Sequence, residues 1–214
     1  MAMLLSPFFV RIRENYCRCL MMMHCYSDLI HLFEQTFYLE YNTKLVKGGD
    51  EPIYLPANEL CPYHQIVFAH GYFASALHEI AHWCLAGAAR RLLEDFGYWY
   101  VPDGRTAEQQ QVFEQVEIKP QAIEWSFCVA ANKSFNVSAD NLSGEAGDTT
   151  NFKRNVHSQV QYYLQHGFPP RAQKFIQVLA SFYQVSLPLS IGQFTLDCVT
   201  NDKELDDKEI VADV

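Results

Sequence analysis

Between Ser75 and about Asp95 the chain carries a pattern that only a helix lying against a core can satisfy. Leu77, Ile80, Ala81, Cys84, Leu85 and Ala88 recur at helical intervals, and Gly97 stands just beyond the end. Within that apolar run sit His78, Glu79 and His82, an HExxH pattern. Residues four apart share one helix face, so both imidazoles can reach a single ion. Imidazole nitrogen suits zinc, iron, copper or nickel rather than magnesium or calcium alone. A solvated helix face could hold the same three residues with no ion. The apolar surroundings and the β-like run just before the helix favour the metal.

Two histidines bind a transition metal weakly, so a third protein ligand is needed. The longer HExxHxxGxxH form is excluded, because Leu85 and Ala88 occupy its glycine and third-histidine positions. Glu94 and Asp95 would lie roughly 18 Å from His82 along a continuous helix, too far to share an ion. Glu124 is the stronger candidate. It stands in the run AIEWSFCV, where a lone carboxylate is costly to bury unless a cation accompanies it. A metal would be such a cation; an Arg or Lys salt bridge, or an outward-facing position, are the alternatives. Glu117, Asp140 and His157 are held in reserve, and His70, just before the helix, either lines the site or is a satisfied structural histidine.

Two histidines and one carboxylate leave coordination positions open. With iron(II) the arrangement binds O2 and substrate side by side. With zinc and water it makes a hydrolase in which Glu79 is the general base. Ligand count alone does not separate the two.

Elsewhere, Leu29, Leu32, Phe33, Phe37 and Tyr38 predict a first helix over residues 26–41, opened by Ser27 and Asp28. Three short strands are expected at residues 43–47, 53–55 and 65–69, separated by Gly48-Gly49-Asp50 and by prolines. The aromatic run Tyr98-Trp99-Tyr100 reads as a short strand or loop. Thr106 caps a polar helix through Glu114, and Pro120 opens a separate helix at its first position. A strand at 135–137 and helices at about 151–165 and 171–184 complete the pattern. Strands come early and helices dominate afterwards, which predicts an α/β (α+β) fold. The expected form is a compact single domain with a small mixed sheet packed with helices, one of them the HExxH helix. The expected limits are a peripheral extension at 1–22, one domain at 23–190 and an acidic tail at 191–214.

The formal charge of −9 over 214 residues, with no dense Lys/Arg cluster, argues against a direct nucleic-acid partner. The apolar start MAMLLSPFFV precedes Arg11 and Arg13, the reverse of a secretory signal, and is too short to span a bilayer. Seven cysteines without a CxxC pair read as reduced thiols. The expectation is a cytoplasmic protein with no membrane contact. Oligomeric state is not legible.

The blocks IVFAHGYFASALHEIAHWCLAGAARR, DFGYWYVPDGR and VEIKPQAIEWSFCVAANKSFNVSADNL occur in that order, with LVKGGDEPIYLPA upstream. Together they resemble the bacterial elongation factor P hydroxylase family over roughly residues 25–185. That resemblance implies hydroxylation of the lysine of elongation factor P that already carries a β-lysyl group. It also implies a two-histidine, one-carboxylate centre with iron(II), O2 as co-substrate, and a compact α/β fold similar to a single-metal bacterial endoribonuclease. His78 and His82 match the family's motif histidines, whereas Glu124 as third ligand comes from its setting in this sequence. On this reading Glu79 supports a ligand or bound water, and Tyr98, Trp99 and Tyr100 could flank the cationic lysyl arm or simply pack. No Arg or Lys is assigned to an oxo-acid carboxylate, so a 2-oxoglutarate requirement stays open. The rivals are a zinc-dependent metalloprotease-like hydrolase and a non-catalytic translation-factor-binding protein with a structural metal.

Overall fold

The computed structural model describes residues 24–94, 105–138 and 149–196. The extension, the acidic tail, the aromatic run at 98–100, Asp140 and the domain limits drawn at 22 and 190 lie wholly or partly outside that description.

Helix α1 (Tyr26–Tyr41) forms where the sequence predicts it, burying Leu29, Leu32, Phe33 and Phe37 along one stripe. It stops at Asn42, whose left-handed backbone (φ 48°) lets its N–H return to the Tyr38 carbonyl. Strand β1 (Thr43–Lys47) follows at once, then β2 (Ile53–Leu55) and β3 (His64–Phe68). The sheet order is β1-β3-β2, with β1 parallel and β2 antiparallel to the central β3. Leu45 on β1 and Ile66 and Phe68 on β3 face the core at the two-residue period of a half-buried sheet. The mixed sheet and helices together are the expected α+β arrangement.

A tight reversal connects β3 to the motif helix. His70 (φ 53°) and Gly71 (φ 85°) both adopt positive φ. A side chain on Gly71 would meet Lys47 at 3.0 Å and Tyr26 at 3.3 Å, so glycine is required there on two counts. Helix α2 (Phe73–Leu85) then begins two residues before Ser75, whose hydroxyl instead accepts the Ala69 N–H. The helix buries Phe73, Ala76, Leu77, Ile80, Ala81, Trp83 and Cys84.

This helix is shorter than the sequence suggests. It ends at Leu85 rather than near Asp95, and a single 3-10 turn (Arg90–Leu92) follows. The cause is tertiary. Arg171 donates to the carbonyls of Cys84 and Ala86, and Arg91 donates to Ala86 at 2.7 Å. Two guanidinium groups thus satisfy the C-terminal carbonyls that a longer helix would have used itself.

Helix α3 (Ala107–Ala130) carries the second correction. It runs unbroken through Pro120, where two helices were expected. An interior proline loses one ladder bond and crowds the preceding turn, at a cost of about 3 kcal/mol. Burial offsets this, because Pro120 and nearly every residue from Gln121 to Ala130 are enclosed. Helices α4 (Thr150–His166) and α5 (Pro170–Tyr183) pack against α3 through Phe152, Val156 and Val160, and through Phe175, Ile176 and Leu179. Residues 135–137 form no strand; Phe135 stacks on Trp125 with ring centroids 5.1 Å apart. Among the described residues no helix is long and apolar enough to cross a membrane.

Candidate metal centre

The apolar stripe of α2 faces the core, which turns His78 and His82 toward α3. Their Nε2 atoms stand 3.0 Å apart. The carboxylate that converges on this pair is Glu117. Its oxygens lie 3.3 Å from His82 Nε2 and 3.6 Å from His78 Nε2. Among the described residues, these three side chains form the cluster able to hold a metal ion, with ligand atoms within 4.8 Å of one another.

Bonds of about 2.1 Å at angles between square and tetrahedral put adjacent ligand atoms about 3.0–3.4 Å apart. The His78–His82 and His82–Glu117 separations, 3.0 and 3.3 Å, fall in that range, and the His78–Glu117 separation of 3.6 Å lies just outside it. A second observation points the same way. Glu117 is only 4% exposed, yet its Oε2 has no hydrogen-bond partner. A buried acceptor left unsatisfied is costly, and a cation at this point would satisfy it. The donor set therefore fits a divalent transition metal.

Glu124 occupies a different place. Its Oε2 lies 2.8 Å from Nδ1 of His78, the ring nitrogen that faces away from Glu117 and His82. A carboxylate there accepts the Nδ1 proton and leaves the Nε2 lone pair directed at an ion, the familiar histidine–carboxylate support of metal sites. Glu117 and Glu124 reach both sides of one imidazole because seven residues are two turns, roughly 10.5 Å, along one helix face.

The electrostatics reflect this crowding. Burial disfavours charge on His78, but the Glu124 charge and hydrogen bond, with help from Glu117 and Glu79, hold its pKa well above the usual imidazole value. Burial likewise pushes Glu117 up, yet His82, His78 and a hydrogen bond from Gln121 override it and bring it down to about 2. Glu79 goes the other way. Burial raises its pKa, the two histidines oppose the rise, and Glu117 and Glu124 reinforce it. Glu79 also lines a cavity of about 370 Å³ that touches His82.

The remaining candidates fall elsewhere. His157 contacts the Phe194 carbonyl at 3.1 Å, and His70 lies 3.7 Å from Asp50 and against Tyr72. Glu94 is exposed beyond the end of α2. A helix break at Pro120 would leave Glu117 in a connector; the unbroken α3 instead places it on the buried face. The available signal was the spacing of Glu117, Gln121 and Glu124 on one face of an unbroken helix. Cys25, Cys61, Cys84 and Cys128 are free thiols.

A two-histidine helix packed on a carboxylate-bearing helix defines an HExxH-type candidate metal centre in a small α+β domain. Comparison with known proteins narrows that class. Residues 32–194 match the elongation factor P hydroxylase family, and the chain belongs to it. It is 53% identical over 178 residues to the elongation factor P lysine hydroxylase of Haemophilus influenzae, an alignment covering 83% of this chain and all of that relative.

Proposed function

We propose that this chain is a metal-dependent hydroxylase, with non-haem iron(II), acting on the post-translationally modified lysine of elongation factor P. The observation that carries the metal part is the convergence of His78 Nε2, His82 Nε2 and the Glu117 carboxylate, whose buried Oε2 lacks a hydrogen-bond partner. Family membership supports the reaction and the substrate, and a translation factor as substrate supports a cytoplasmic location.

In this reading His78, His82 and Glu117 hold the ion. Glu124, first weighed as a ligand, instead orients His78 and fixes its tautomer. Iron(II) bound there supplies O2 activation for attack on a lysine methylene. Glu79 keeps its supporting role at the flank of the site, on the wall of the cavity that touches His82.

The test is mass spectrometry of β-lysylated elongation factor P incubated with anaerobically purified, iron-loaded protein and O2. A gain of one oxygen on the modified lysine is expected, with loss of that gain in His82→Ala. Unchanged substrate mass with fully metallated protein sinks the hydroxylase reading. Glu79→Gln should retain measurable hydroxylation, whereas a hydrolase would lose roughly 10²–10⁴-fold.

A further inference from the structure

The cavity beside the metal centre has a charge that the proposed substrate does not explain. Its volume, about 370 Å³, falls within the range of small-ligand sites. His82 and Glu79 stand at one side, so an occupant would lie against the flank of the candidate metal site. Ile66, Leu85, Val116 and Pro120 provide apolar wall, and Arg90, Arg91 and Lys119 bring three cationic side chains against the single carboxylate of Glu79. The modified lysine of elongation factor P presents a cationic arm. Arg91 and Lys119 facing the carboxylate of Glu79 disfavour such an arm and favour an anion.

The cations are also partly preorganised. Arg91 is fixed by its bond to the Ala86 carbonyl at 2.7 Å, and its own carbonyl accepts the Tyr54 hydroxyl at 3.0 Å. That guanidinium bonds a neutral carbonyl, so its charge is not cancelled there, and Lys119 is exposed at the rim.

We propose that this cavity is an anion subsite that takes a small carboxylate with a short aliphatic stem, held beside the metal centre. The stem lies on Ile66, Leu85 and Val116, and the carboxylate meets the Arg91–Lys119 side. The lysyl arm then approaches the metal by another path. The proposal builds on the metal centre of the preceding reading but does not require its oxygen chemistry.

Isothermal titration of the purified, metal-loaded protein tests it with three probes that share a five-carbon stem: glutarate, glutaramide and cadaverine. Glutarate should bind with a dissociation constant of about 1 mM or below, weakening as salt is raised. Glutaramide and cadaverine should bind at least tenfold more weakly. Lys119→Glu, an exposed change that leaves the core intact, should weaken glutarate at least tenfold, and Arg91→Gln should do so provided its melting temperature is retained. Absence of glutarate binding, preference for cadaverine, or unchanged affinity in Lys119→Glu overturns the proposal. Failed glutarate binding with intact hydroxylation breaks this inference alone. Specific binding with no hydroxylation breaks only the functional reading.

Discussion

The two halves of α3 are held in place by different physics. From Ala107 to Val116 no residue is buried, and the start is secured locally by a capping box. Thr106 accepts the Gln109 N–H at 3.3 Å, and the Gln109 side chain accepts the Thr106 N–H at 3.0 Å. From Glu117 onward the helix, apart from the exposed Lys119, packs among α2, α4 and α5. Both carboxylates that bracket His78 belong to this enclosed half. A chemical site needs side chains held within fractions of an ångström, and tertiary packing supplies that where capping cannot. The exposed half is held by its cap, and the enclosed half is held by packing.

The sharpest way to break that division is Glu117→Gln. The change keeps shape but removes the charge and one ligating oxygen, so the site should lose its single anionic donor. Metal content after dialysis should fall below a tenth of the wild-type value, and hydroxylation of elongation factor P should fall more than 100-fold. Full metal occupancy in this variant would show that the convergence of His78, His82 and Glu117 is not the metal site.

Glu124→Gln separates holding an ion from orienting a ligand. If Glu124 acts through His78 Nδ1, its loss should weaken metal affinity by roughly 10–100-fold. Activity should then return at high metal concentration, because both imidazoles and Glu117 remain. A direct ligand would not be rescued so readily. Metal titration followed by mass spectrometry of elongation factor P reads both quantities.

The contrast between the halves also explains what the sequence did and did not reveal. Helix α1, strands β1 and β2 and the motif histidines were legible because each is set by local periodicity or local turn chemistry. Two long-range effects were not. The end of α2 is imposed by Arg171, eighty-five residues from the Ala86 carbonyl that it binds. The continuity of α3 through Pro120 depends on packing by helices farther along the chain. Proline is a local signal for a helix start, and here tertiary burial overrides it. Reading a break at Pro120 removed Glu117 from the buried face. Glu124 then stood alone as the obvious carboxylate, and in the fold it contacts Nδ1 of His78 rather than the Nε2 side on which Glu117 converges.

Gln121 sharpens the comparison from within the enclosed half. Its amide donates to the Ser138 carbonyl at 2.7 Å and accepts the Ser138 N–H at 3.2 Å, while also hydrogen-bonding Glu117. It ties the segment after α3 to the carboxylate nearest the two Nε2 atoms. Gln121→Ala should destabilise the fold by about 1–3 kcal/mol, because buried partners lose their bonds. Metal affinity should fall several-fold, less than in Glu124→Gln. Chemical denaturation and metal titration on the same variant measure the two effects. A loss of stability with wholly unchanged affinity would show that Glu117 is positioned by the helix backbone alone.

Thr106→Ala makes the smallest predicted change and bears most directly on the exposed half. Removing an N-cap hydroxyl costs about 0.5–2 kcal/mol, typically near 1. For a chain of this size that corresponds to a fall in melting temperature of about 2–4 °C. Amide exchange should quicken over residues 107–116 while protection at 121–130 is kept, since the enclosed half does not depend on the cap. Metal affinity and hydroxylation should stay within about twofold of wild type. A fall in affinity to match Glu124→Gln would mean that fraying propagates past Pro120. The missing ladder bond at that proline argues otherwise: with no N–H at residue 120, the two halves already lack one backbone link through which unwinding could spread.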